Sequence, residues 1–73
     1  TGQDYAALTR AARDATELSR PEFAYVIGTR SATLTQWELG RRRPPAGTTR
    51  LLRAILAAPE LCLVLLAHDD GRE

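Results

Sequence analysis

The chain contains no lysine, one cysteine and one histidine, and each shortage closes off a class of protein. A single Cys forms no internal disulfide, and with one His it cannot assemble a structural zinc site, so disulfide scaffolds and zinc domains are excluded. Such sparing cysteine use points to a reducing compartment. Long apolar runs are also absent. The longest, residues 61–67, falls far short of the roughly 20 residues of a membrane span. The first residues show no signal-peptide pattern, so a cytoplasmic chain with no membrane partner is expected. At 73 residues there is room for one small domain. A fold of this size buries only about 60% of the surface its unfolded chain exposes, which excludes a large enclosed substrate cavity.

What is present favours helices. Apolar residues make up 44% of the chain, led by twelve Ala and eleven Leu, both strong helix formers. All ten cations are arginines, and the net charge is only +1. Taken whole, that charge argues against a nucleic-acid partner, but its distribution reverses the inference. Residues 1–19 set Arg10 and Arg13 against Asp4, Asp14 and Glu17, a local charge of −1. Residues 20–53 carry Arg20, Arg30, Arg41, Arg42, Arg43, Arg50 and Arg53 against only Glu22 and Glu38, a local charge of +5. Residues 54–73 return −3, from Glu60, Asp69, Asp70 and Glu73 against Arg72. A cationic block of this kind is the usual trace of phosphate binding, although a solvated helical face produces similar runs.

Periodicity predicts five short helices and an all-α fold. The first spans residues 4–16, with Tyr5, Leu8, Ala12 and Ala15 on one stripe. The second opens on a capping box, Ser19-Arg20-Pro21-Glu22, buries Phe23 and Ile27, and stops before Gly28. The third spans residues 31–39, with Leu34 and Trp37 inward and Gly40 as its stop. Only about three residues separate the second and third, so the pair must cross sharply. The fourth spans residues 47–57, with Thr48 or Thr49 as cap and Leu51, Leu52, Ile55 and Leu56 at core spacing. The fifth begins at Pro59 and Glu60, and its residues Leu61 to Leu66 are apolar on every side. Residues 1–67 are expected to form the folded domain, and residues 68–73 a flexible tail.

Residues 18–44 read L-S-R-P-E-F-A-Y-V-I-G-T-R-S-A-T-L-T-Q-W-E-L-G-R-R-R-P. This resembles, without a gap, the helix-turn-helix pattern of the XRE family of phage-repressor and Cro type. The stretch from Trp37 to Pro44 is among its more diagnostic parts. Residues 45–60 resemble the continuation found in the HigA and MqsA antitoxin branch. The resemblance implies a compact five-helix, lambda-repressor-like DNA-binding domain with a helix-turn-helix, whose third helix lies in the major groove of double-stranded DNA. Carried onto matching positions, it makes Ser31, Ala32, Thr33, Thr35 and Gln36 the base-contacting set. Gln36 alone can make a bidentate amide contact, which suits adenine. It also makes Arg20, Arg41, Arg42 and Arg43 backbone-phosphate contacts, and pairs Glu38 with an arginine of the first helix, Arg13, as a structural bridge.

Two positions depart from the family pattern. Arg30 replaces the serine that caps the third helix, placing a cation at the positive end of a helix dipole. We expect Arg30 to face a phosphate or base, with Thr29 or Ser31 supplying the cap. Glu17 stands where the family often has glycine, which puts the shape of the first inter-helix turn in question.

Other features have plainer readings. Trp37 shares its stripe with Leu34 and reads as core. Cys62 reads as a small buried hydrophobe, and His68 as a residue of the tail. Nothing suggests a nucleophile with its base and orienting group, so neither an enzyme nor a cofactor nor a metal is expected. The surplus apolar surface of the fifth helix suggests a homodimer face, which would impose an approximately palindromic operator. A transcriptional repressor is the reading these features favour, in its narrower form the autoregulatory antitoxin of a toxin pair. The alternative is a helical module that binds a partner protein through the fifth helix and contacts no DNA.

Overall fold

The computed structural model describes residues 2–70, with side chains described for residues 4–66. Five helices follow one another, α1 (Gly2–Thr16), α2 (Arg20–Ile27), α3 (Ser31–Glu38), α4 (Ala46–Ala57) and α5 (Leu61–Asp70), and no strand is present among the described residues. No helix among them is long and apolar enough to cross a membrane. Residues 68–70, assigned to the tail from sequence, continue α5, whereas residues 71–73 and the side chain of His68 lie outside the described residues.

The core draws on every helix. Ala12 of α1, Phe23 and Ala24 of α2, Leu34 and Trp37 of α3, Leu52 and Ile55 of α4, and Cys62 of α5 form one buried cluster. Leu8, Leu18, Val26, Ile27, Leu51 and Leu61 pack around it. Burial raises the Cys62 thiol above its ordinary pKa, which keeps it protonated and unreactive.

Two apolar stripes lie differently from the periodicity. In α1 the buried face runs through Ala6, Thr9 and Ala12, while Ala15 is exposed. Thr9 is admitted because its hydroxyl donates to the Tyr5 carbonyl at 2.7 Å, so no polar hydrogen is left unpaired. These small residues let α1 lie close against α4. In α4, Leu52 and Ile55 are buried but Leu56 is 42% exposed. Thr49 is inside the helix rather than at its start, donating to the Pro45 carbonyl at 3.2 Å. Pro45 is the N-cap of α4, and no side chain caps that end, neither Thr48 nor Thr49.

Three turns set the angles between the first four helices. The capping box at α2 is complete: the Glu22 amide donates to the Ser19 hydroxyl at 3.3 Å, and the Ser19 amide donates to the Glu22 carboxylate at 3.0 Å. Helices α2 and α3 end in the same way. Gly28 at φ 81° and Gly40 at φ 76° take the left-handed conformation. Beyond them Thr29 N–H donates to the Ala24 carbonyl, and Arg41 N–H to the Gln36 carbonyl, both at 2.9 Å. Each is a Schellman closure, which consumes carbonyls the helix end would otherwise leave unpaired. A side chain at Gly28 would meet nothing within 4 Å, so glycine is needed there for its backbone freedom and not for space.

At the end of α1 the left-handed position is filled by Glu17, at φ 61° the only non-glycine with positive φ among the described residues. The first turn therefore keeps the shape a glycine would give it. Its backbone is tied by the Glu17 amide donating to the Asp14 carbonyl and the Leu18 amide donating to the Thr16 hydroxyl, both at 3.2 Å. A side chain in this conformation costs roughly 1 kcal/mol or more.

Glu17→Gly is accordingly expected to raise the unfolding midpoint by the equivalent of roughly 0.5–1 kcal/mol, because the relief of strain exceeds the added freedom of the unfolded chain; an unchanged or lower midpoint in urea titration would contradict it. A second expectation concerns pH. The Ser19 backbone amide, and then its hydroxyl, hold the Glu22 carboxyl below its ordinary value of 4.5. A carboxylate whose folded pKa is depressed stabilises the fold above its unfolded pKa, and this contribution is lost as pH falls through the folded one. Removing it with Glu22→Gln should flatten the acid limb of a stability–pH curve, leaving the neutral plateau parallel to that of the parent.

Candidate nucleic-acid interface

Helix α3 divides its residues sharply by face. Leu34, Trp37 and Glu38 are buried, Ala32 is exposed, and Ser31, Thr33, Thr35 and Gln36 are half-buried. Ala32 and Gln36 stand one turn apart on the outer side, flanked by Thr33 and Thr35, with Ser31 at the rim. The Thr35 hydroxyl donates to the Ser31 carbonyl at 3.0 Å, so it presents lone pairs outward and no hydrogen. The base-contacting set derived from sequence is thus brought to one side of one helix.

The start of α3 differs from expectation. Arg30 itself is the N-cap, in extended conformation, and no side chain accepts from the first-turn amides, so neither Thr29 nor Ser31 supplies a cap. The physical reason is that the αL closure at Gly28 leaves only Thr29 between it and Arg30, and arginine carries no acceptor. The exposed Arg30 side chain and the uncapped amides occupy the same end of the helix.

At the other end lies a charge cluster that determines how α3 is held. The Glu38 carboxylate is buried, with 4% of its side chain exposed, and takes hydrogen bonds from two arginines. Arg13 Nε of α1 donates to Oε2 at 2.6 Å, while Arg20 of α2 donates to Oε1 through Nε at 3.1 Å and Nη2 at 3.0 Å. Arg10 of α1 adds a bond from Nη1 to the Glu38 backbone carbonyl. No buried side-chain nitrogen or oxygen among the described residues lacks a partner.

The five sequence-derived phosphate contacts therefore fall into two groups. Arg30, Arg41 and Arg42 are exposed. Arg20 and Arg43 are exposed but engaged within the protein. Arg20 is on Glu38, and Arg43 places its guanidinium carbon 4.8 Å from the Tyr5 ring centroid while Nη2 donates to the Tyr5 hydroxyl at 2.9 Å. Sequence reasoning did not assign the roles of Arg10 and Arg20 at Glu38. The spacing of Arg10 and Arg13, three residues apart on one helix, was the available signal for the first. Arg20 carried none, because its partner is eighteen residues away.

Truncating Glu38 strands two charges at once. Because Arg13 and Arg20 keep 23% and 44% of their side chains exposed and can rehydrate, the loss should fall below the roughly 3–5 kcal/mol of a fully buried broken pair, at about 2–3 kcal/mol for Glu38→Ala. Arg20→Ala, at the more exposed end, should cost under about 1 kcal/mol. Equal losses in denaturant titrations of the two variants would show that the carboxylate is not the centre of the cluster. Set against known proteins, the chain matches no family model, no curated protein and no solved structure, so its functional reading rests on its own residues.

Proposed function

We propose that this chain is a sequence-specific DNA-binding domain that acts as a transcriptional repressor, with α2 and α3 as its helix-turn-helix in a lambda-repressor-like arrangement. One observation carries the reading. Between residues 23 and 59 the sole carboxylate is Glu38, and it is buried on arginines, while Arg30, Arg41, Arg42, Arg43, Arg50 and Arg53 are all exposed. Everything these residues offer to a partner is neutral or cationic. A duplex is the partner whose surface matches this, since phosphates take the cations and base edges take the amide and hydroxyls of α3.

In this reading Gln36 contacts adenine, Ala32 offers a methyl group for thymine, Ser31 and Thr33 add hydrogen bonds to bases or phosphates, and Thr35, whose hydrogen is spent on the Ser31 carbonyl, accepts from a base amino group. Arg30 and the uncapped amides of α3 meet one phosphate, in keeping with the affinity of helix N-termini for anions. Arg41 and Arg42 meet the backbone on the other side, and Arg20 and Arg43 add to them from positions already braced by Glu38 and Tyr5. Leu63, 68% exposed, and Val64, 48% exposed, give α5 the apolar surface for a homodimer face. Two copies would then present their α3 helices about 34 Å apart to a roughly palindromic operator. The antitoxin form adds a cognate toxin as a further partner. The same exposed α5 residues favour a second reading, a helical interaction module that binds a protein through α5 and leaves DNA untouched.

Salt dependence and selection separate the two. Neutralising four to six phosphates per subunit should give a slope of log K against log salt of about −4 to −5. Selection from random duplexes should return an approximately palindromic sequence. Arg42→Ala should reduce the slope by about one unit, and Arg30→Ser should weaken binding to the selected site. Binding without salt dependence, or no enriched sequence, would favour the interaction module.

A further inference from the structure

A second cationic feature shares Arg43 with the proposed duplex-facing set and adds two arginines of α4 to it. Between the start of α1 and α4, with the turn that leads into α4, is an open cleft of about 500 Å³, lined by Tyr5, Arg43, Arg50 and Arg53 together with the first residues of α4. We propose that this cleft is an anion site that takes a phosphate group, with Arg43, Arg50 and Arg53 as its ligands.

The charge balance points there first. Three guanidinium groups line the cleft and no carboxylate does. Asp4 lines the neighbouring hollow with Tyr5, Leu8 and Arg53, while the ion pairs among the described residues engage Arg13 and Arg20, leaving Arg43, Arg50 and Arg53 with none. Three like charges around one opening repel one another, and an anion between them would relieve that repulsion.

The geometry is also partly set in advance. Arg43 is held by the Tyr5 ring and hydroxyl, so its fork does not have to be ordered when a ligand arrives. Arg50 and Arg53 stand one turn apart on α4 and project to the same side. Ala46 and Gly47 also line the cleft, and a Cβ at Gly47 would meet nothing within 4 Å, so the approach to the backbone there is open. Guanidinium forks match phosphate oxygens in pairs, and a cleft of this volume accommodates a diphosphate with its water.

The phosphate could belong to a free small molecule or to a nucleic-acid backbone, and one experiment on the full chain distinguishes them. The arginine Nε–Hε resonances are followed while inorganic pyrophosphate, and separately a short duplex of mixed sequence, is titrated at constant ionic strength. If the cleft serves a free phosphate compound, pyrophosphate shifts Arg43, Arg50 and Arg53 along a saturating curve, and Arg50→Gln with Arg53→Gln weakens it by about tenfold or more. If it serves a backbone, pyrophosphate leaves those resonances in place, the duplex moves them, and the double variant weakens the duplex about tenfold. The inference is overturned if neither ligand moves the three resonances, or if the double variant binds both as the parent does. Because the resonances are read in the parent chain, the result does not depend on the variant folding. Duplex shifts confined to α3, Arg41 and Arg42 would sink the cleft while leaving the DNA reading intact, and pyrophosphate binding without duplex binding would do the reverse.

Discussion

The buried carboxylate of Glu38 is the constraint on which the arrangement of the first three helices depends. A carboxylate taken out of water costs several kcal/mol unless its lone pairs are filled by well-placed donors. Here the donors come from Arg13 on α1 and Arg20 on α2, and Arg10 secures the carbonyl of the same residue. A sliding or rotation of α3 against either helix would break a charged hydrogen bond inside a small core. The apolar cluster around Trp37 and Leu34 supplies the drive to collapse, but it tolerates repacking in a way that directional ion pairs do not. The cluster therefore acts chiefly as a register device, and its effect is to fix which side of α3 faces outward.

The same residue shapes the electrostatics. A glutamate at the end of α3 would oppose an anionic partner if it were exposed. Turned inward onto arginines, it is neutralised, and the surface from residue 23 to residue 59 is left without an acidic group. On the proposed DNA-binding reading, structural and functional demands thus meet in one side chain. Tyr5 has a similar double role at the α1–α4 cleft, where its ring and hydroxyl hold Arg43 in place beside Arg50 and Arg53.

Turn chemistry sets the remaining angles. Gly28 and Gly40 close α2 and α3 in identical fashion, and both closures were legible from spacing because left-handed backbone is cheap only for glycine. The turn after α1 was not legible in that way. Glu17 adopts the same backbone region without the residue that normally marks it, in a two-residue link to the capping box tied by the Asp14 carbonyl and the Thr16 hydroxyl. The capping box itself, being entirely local, was visible as a four-residue pattern.

Number, order and approximate extent of the helices follow from sequence because caps, stops and apolar spacing act over a few residues. So does the grouping of the α3 positions on one side, which helical geometry dictates once Leu34 and Trp37 are inward. What sequence misplaced were faces and partners. Thr9 and Thr49 enter the core because the preceding turn satisfies their hydroxyls, while Ala15 and Leu56, apolar and correctly spaced, remain exposed. The shortage of lysine, cysteine and histidine excluded whole classes of protein, and the run of arginine located the cationic half of the chain. The Arg13–Glu38 bridge that the resemblance implied is present, and only the tertiary structure decided that Arg20 joins it and that Arg43 turns to Tyr5, because these contacts join residues eighteen or more positions apart, and their partners are chosen by how helices pack and not by what lies next to them in the chain.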